Sequence, residues 1–203
     1  MERLYENIKK LKEEKPAEFN IQNFYHIADD DRYFDYVDNC LYSYLMDTDE
    51  IEDCIEERKF YTDDRITGVF EIDRKVTCIV PERHTMFDEM VSIHEIAHLI
   101  NYLNNRNNDK SIYRKVIPFF NEYEFLRQIH PFYAEYYLRM RRNDAIECAN
   151  KMNMKNEKDN LSYILAYLIL NERKEDYNID KLNKINTDAK KLEKSLIRKG
   201  YTI

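Results

Sequence analysis

The chain has 203 residues, 43% of them apolar and 13% aromatic, which is enough to bury a sizeable core within one domain. Acidic residues outnumber basic ones by 39 to 32, giving a net charge of −7, and no basic stretch is interleaved with aromatics, so nucleic acid is excluded as an expected partner. The two glycines, Gly68 and Gly200, rule out glycine-rich phosphate loops and favour a mainly helical chain with few tight turns.

Residues 2–14 place Leu4, Ile8 and Leu11 on one face among charges, an amphipathic helix that packs on the outside and ends before Pro16. Between Asp29 and Phe60 the apolar spacing of Tyr33, Tyr36, Val37, Leu41 and Tyr44, then Ile51, Cys54 and Ile55, predicts two helices with Asp47 or Thr48 as the cap between them. The acidic runs there lack the alternating ligand spacing and the loop glycine of a calcium site and read as helix starts and solvated faces. The character changes at Ile66–Val80, where β-branched residues flank Asp73-Arg74-Lys75; a β-hairpin is expected, either open to strand addition by a peptide or simply shielding the core.

Thr85-Met86-Phe87-Asp88 forms a capping box, so a helix begins at Met86 and continues to an asparagine-rich loop after Asn101. Ile93, Ile96, Ala97, Ile100 and Leu103 make its apolar stripe, and His94 and His98 sit on a neighbouring face. Two imidazoles four residues apart on a helix stack on one side and can address a single metal ion, for which zinc is the expected identity. Glu95 projects to the flank of that face, the place for a general base that takes a proton from a water at the metal.

A second helix starts near Pro118 and ends at His130-Pro131. On it Glu122 stands among large apolar residues, where an uncompensated carboxylate is costly, so it is the candidate third metal ligand. Glu124, half a turn away, is expected to face water and is the next choice. Further helices are read at Phe132–Lys151, Leu161–Glu175 and Asp180–Arg198, with Gly200 as the stop of the last. Cys40, Cys54, Cys78 and Cys148 form no C-x-x-C pair and read as reduced, mostly buried thiols. With no apolar leader-like segment and no run of membrane-spanning length, a cytoplasmic location without membrane contact is expected.

His94-Glu95-x-x-His98 followed by a helical Glu122 resembles the gluzincin zinc metallopeptidases, with the greatest likeness to thimet oligopeptidase and oligoendopeptidase F. Gly68-Val69-Phe70 is similar to the strand region ahead of that family's metal helix, Pro118-Phe-Phe-Asn-Glu122 to the segment with its third ligand, and Ser162-Tyr163-Ile-Leu-Ala to a stretch whose tyrosine donates to the oxyanion. The resemblance, covering roughly Gly68 to Ala166, implies a zincin-like fold, bound zinc held by His94, His98 and Glu122, catalysis by Glu95 and Tyr163, and a peptide or protein substrate. It departs from the family at Asn160, where a second tyrosine is usual, and in lacking the upstream glycine pair and histidine, which leaves Tyr167 and His130 as alternative oxyanion donors.

The expected organisation is a single mainly α domain over 1–203 with a small β-hairpin or sheet: a helical part at 1–60, the hairpin at 66–80, metal-site helices at 86–175 and a terminal helix at 180–198. Two other functions fit the same motif. One is the small zinc peptidase that cleaves a repressor of mobile elements, although the Ala-Asn-x-Phe-Ala continuation usual there is missing after Glu122; the other is a catalytically silent zinc-binding interaction protein. The particular substrate and the oligomeric state stay open at this level.

Overall fold

Two runs rich in β-branched and apolar residues, Gly68–Ile72 (β2) and Lys75–Pro81 (β3), pair antiparallel with Val69 opposite Cys78 and Phe70 opposite Thr77. The computed structural model describes residues 2–28, 30–41, 48–59, 66–72, 75–105, 114–152 and 157–173. A third strand, Ile55–Arg58 (β1), lies parallel to β3 on its other side, so the order is β1-β3-β2 and β3 is central. This corrects the reading of Ile51 to Ile55 as one helix: the helix Thr48–Glu52 (α3) stops after little more than a turn, and Cys54 accepts from Cys78 N as the chain extends into the sheet. Ile51 is buried, while Glu56, Glu57 and Arg58 are exposed; apolar spacing over so few residues does not separate helix from strand.

The helices are Glu2–Glu13 (α1), Asp30–Tyr36 (α2, continued by a π-helical turn Val37–Leu41), α3, Met86–Asn105 (α4), Val116–Ile129 (α5), Pro131–Lys151 (α6) and Glu157–Arg173 (α7). The molecule is thus mainly helical with a small mixed sheet. No helix among the described residues is long and apolar enough to cross a membrane. The helix read at 180–198 lies outside the described residues, as does the segment 42–47 that carries one of the two proposed caps.

Isoleucine-rich sequence is a mediocre helix former, so α4 depends on its ends and its packing. Its start is fixed by the capping box: Asp88 N donates to Thr85 Oγ1 at 3.2 Å, and Thr85 N and Oγ1 donate to Asp88 Oδ2 at 3.0 and 2.8 Å. Along its length Ile93, Ile96 and Ile100 are buried with Cys78 and Val80 of β3 and with α5. Burial of each such side chain contributes roughly 1.5–3 kcal/mol, more than the cap, so packing on β3 and α5 decides how α4 is rotated. Tyr102 reaches from α4 to Glu71 of β2 at 2.8 Å and ties the outer strand to the helix.

Every residue of α5 from Val116 to Leu126 is buried, the pattern of a helix surrounded by protein on all sides. α4, α6 and α7 pack around it, with α2 touching it as well. α1 lies on α6, buries Leu4 and Leu11, and is followed by a clamp in which Asn143 exchanges hydrogen bonds with both backbone groups of Ala17 at 2.8 and 2.9 Å. The described cysteines Cys54, Cys78 and Cys148 are free thiols; Cys78 is fully buried and the other two are half-buried.

The cap can be tested separately from the core. Thr85→Ala removes an acceptor for Asp88 N and a donor to its carboxylate, and is expected to lower the unfolding free energy by about 1 kcal/mol in a denaturant titration, with an unchanged slope.

Candidate metal centre

Packing of the stripe turns the neighbouring face of α4 toward α5. His94 is buried, His98 half-buried, and their rings stand 4.9 Å apart at 70°. The Nε2 atoms of both point at one centre, the ammonium group of Lys115, at 2.8 Å from His94 and 3.2 Å from His98. Burial pushes the pKa of each imidazole down, and for His98 the neighbouring His94 and the Lys115 charge push further, so both rings are neutral near pH 7 with lone pairs to offer.

Glu122 approaches from α5 on the other side of the first ring, its Oε1 at 3.2 Å from His94 Nδ1. The contact lacks hydrogen-bond geometry, so the carboxylate acts on the ring through its charge, which favours a proton on Nδ1 and a lone pair on the Nε2 that faces Lys115. Glu122 is itself 1% exposed, so its charge must be met inside the protein. Arg141 of α6 donates to Oε1 at 2.5 Å and the Tyr137 hydroxyl to Oε2. Burial alone would raise the Glu122 pKa, but Arg141, His94 and Tyr137 together outweigh it and hold the carboxyl near about 2. Arg141 is braced in turn by Asp144 at 3.0 Å and stacks over the Phe119 ring at 4.2 Å.

Glu95 is half-buried, and one of its oxygens accepts from Thr67 Oγ1 at 3.2 Å, a bond that reaches from the segment before β2 to α4. At Gly68 the backbone takes φ +146°, a conformation that suits glycine, and a Cβ there would press on the Phe70 ring at 3.3 Å. Thr67, Gly68, Val69 and Phe70 share with Glu95 and His98 a cavity of about 290 Å³, so β2 faces the second imidazole across it. A larger cavity of about 700 Å³ on the other side is bordered by His94, Glu95, Glu122, Arg141 and Tyr163.

Two of the three expected ligands therefore meet at a point taken by the Lys115 ammonium, one protein ligand short of the three that hold a catalytic zinc ion. Glu122 contacts the back of His94, and among the described residues no three His, Cys, Asp or Glu side chains form a ready-made metal cluster. Glu122 fits a zinc site in charge and in its closeness to His94, but its Oε1 is engaged by both His94 and Arg141 and its Oε2 by Tyr137, so it joins as ligand only by giving up one of these contacts.

The other candidates separate clearly. Tyr163 borders the larger cavity, its ring 5.7 Å from Phe119 and 5.5 Å from the Lys115 ammonium, and burial raises its pKa so the phenol keeps its proton. Tyr167 packs instead in a second apolar cluster with Leu11, Ile146 and Ile164. His130 lies against Glu89, Phe125 and Tyr133, and is not among the residues around either cavity at the imidazole pair. Glu124 does not face water as expected: it is 3% exposed and bonded to Arg127 and Gln128, because α5 is covered on all sides.

Sequence reasoning overlooked Lys115, Arg141, Tyr137 and Thr67. Tyr137 and Arg141 stand four residues apart on a recognised helix, a usable sign of a shared face, but nothing in the chain says which face meets Glu122. No protein-family model, curated protein or solved structure matches the chain.

Arg141→Met should leave Glu122 buried without its main counter-charge and destabilise the metal-free protein by about 3–5 kcal/mol in denaturant titrations. The pH dependence follows the same logic. A carboxyl held near about 2 when folded contributes stability above its unfolded pKa, and that stability fades as pH falls toward 2. The metal-free parent should lose stability steeply below about pH 4.5, and the variant should show a shallower loss over that interval.

Proposed function

We propose that the chain is a zinc-dependent peptidase with a zincin-like catalytic arrangement, acting on peptide or protein substrates. One observation carries this reading: the Nε2 atoms of His94 and His98 converge on a single cationic centre. Glu95 borders the same two cavities as that centre, which places a carboxylate within the working space.

His94 and His98 would hold the ion through Nε2, with Glu122 as the third ligand. Bound zinc supplies Lewis acidity, which polarises a carbonyl and makes water a competent nucleophile at neutral pH.

The chain's own groups do the rest. Thr67 fixes one oxygen of Glu95 and leaves the other to take a proton from the attacking water. As the carbon–nitrogen bond breaks, Glu95 returns that proton to the departing amine. Tyr163, protonated and facing the larger cavity, donates to the oxygen that becomes negative. The outer edge of β2 offers backbone groups to an extended peptide beside Glu95, which suits recognition that tolerates varied side chains.

A second reading has its own support. The present contacts of Glu122, all to His94, Arg141 and Tyr137, also suit a silent zinc-binding interaction protein in which this carboxylate only orients His94.

Profiling a mixed peptide library by mass spectrometry, with and without chelator, tests the activity. Glu95→Gln should slow cleavage by about a hundredfold or more while zinc content stays at one per chain. Unchanged biological function in that variant would favour the silent protein. Tyr163→Phe retains the ring and should lower kcat by about a hundredfold with little change in KM, whereas Tyr167→Phe, altered in the second core cluster, should turn over normally. Normal turnover by Tyr163→Phe would remove it from the mechanism.

A further inference from the structure

Lys115 immediately precedes α5 and is half-buried, its ammonium turned to the imidazole pair. Its ammonium donates to the two Nε2 atoms at 2.8 and 3.2 Å, the same lone pairs that a metal ion would use. Zinc–nitrogen bonds are about 2.0–2.1 Å long, so an ion and the ammonium cannot share them. The lysine is nevertheless well placed to step aside. Burial, Arg141 and Arg114 work against its charge where it sits while Glu95 and Glu122 attract it, the Tyr163 ring face is 5.5 Å from Nζ, and Lys115 borders both cavities beside the imidazoles.

We propose that Lys115 is a tethered cation that occupies the His94–His98 pair in the metal-free protein and is displaced when zinc binds, so that it sets how tightly the site takes metal. The inference rests on the zinc reading given above. Removing the lysine should not disorganise the pair, because α4 holds the two rings at helical spacing and Glu122 contacts His94 independently of Lys115. What remains is the loss of a competitor and of a nearby positive charge. Both effects strengthen zinc binding. In the metal-free state the same change takes a charge-assisted partner from two buried nitrogens, which weakens the fold there.

The test is zinc affinity of the whole chain, measured by competition with a chromophoric chelator, for the parent, Lys115→Met and Lys115→Gln. Circular dichroism of each metal-free protein establishes first that it is folded, and the two neutral variants guard against loss of either one. The expected result is at least about tenfold tighter zinc binding in both variants. Their metal-free melting temperatures should fall below the parent's, and zinc should raise them by more than it raises the parent's. Zinc affinity equal to or weaker than the parent's would overturn the role of Lys115 and leave the zinc site standing. Failure of the parent and both variants to bind zinc at all would overturn the metal reading, and this inference with it.

Discussion

The structure depends most on how one buried negative charge is met. Glu122 lies on a helix that is buried all round from Val116 to Leu126, so water cannot solvate it, and the protein has to supply positive charge and hydrogen bonds from other elements. Arg141 and Tyr137 come from α6 and His94 from α4, so one carboxylate joins the three helices that build the site. The fold's stability and the direction of the first imidazole thus share a single cause. Any change that frees Glu122 affects both.

The same helices set the charge balance of the cleft. Glu122 is held ionised by Arg141 against the cost of burial, the imidazoles are kept neutral by burial, and Arg141 keeps its charge, while burial pulls the Lys115 pKa down against the attraction of nearby carboxylates. Arg141 is locked between Glu122, Asp144 and the Phe119 ring, while Lys115 contacts the two imidazole nitrogens, lies 5.5 Å from the Tyr163 ring and borders two cavities. This difference in anchoring assigns Arg141 to the framework and Lys115 to exchange. Lys115 borders both the space along β2 and the larger cavity beside Tyr163, as Thr67 and Glu95 do.

Much of this arrangement was legible in the sequence where local chemistry decides the outcome. Thr85 and Asp88 announce the start of α4 because a capping box is a local device, and His94 and His98 share a face because helical spacing alone puts them there. The hairpin could be read from the β-branched residues around Asp73-Arg74-Lys75, but β1 could not, since its four residues carry one apolar side chain and pair through a partner distant in sequence. Glu124 was misjudged for a related reason. Helical geometry correctly separates it from Glu122, but burial depends on how many neighbours surround α5, and a single chain of letters does not give that number. Lys115 and Arg141 follow the same rule: each matters through residues on another helix.

Crystals grown with zinc and measured on both sides of the zinc absorption edge would address the central claim directly. The account predicts one anomalous peak per chain about 2.0–2.1 Å from the Nε2 atoms of His94 and His98, with the Lys115 ammonium moved off both nitrogens. No peak at the imidazole pair, with Lys115 still bonded to both rings, would contradict it.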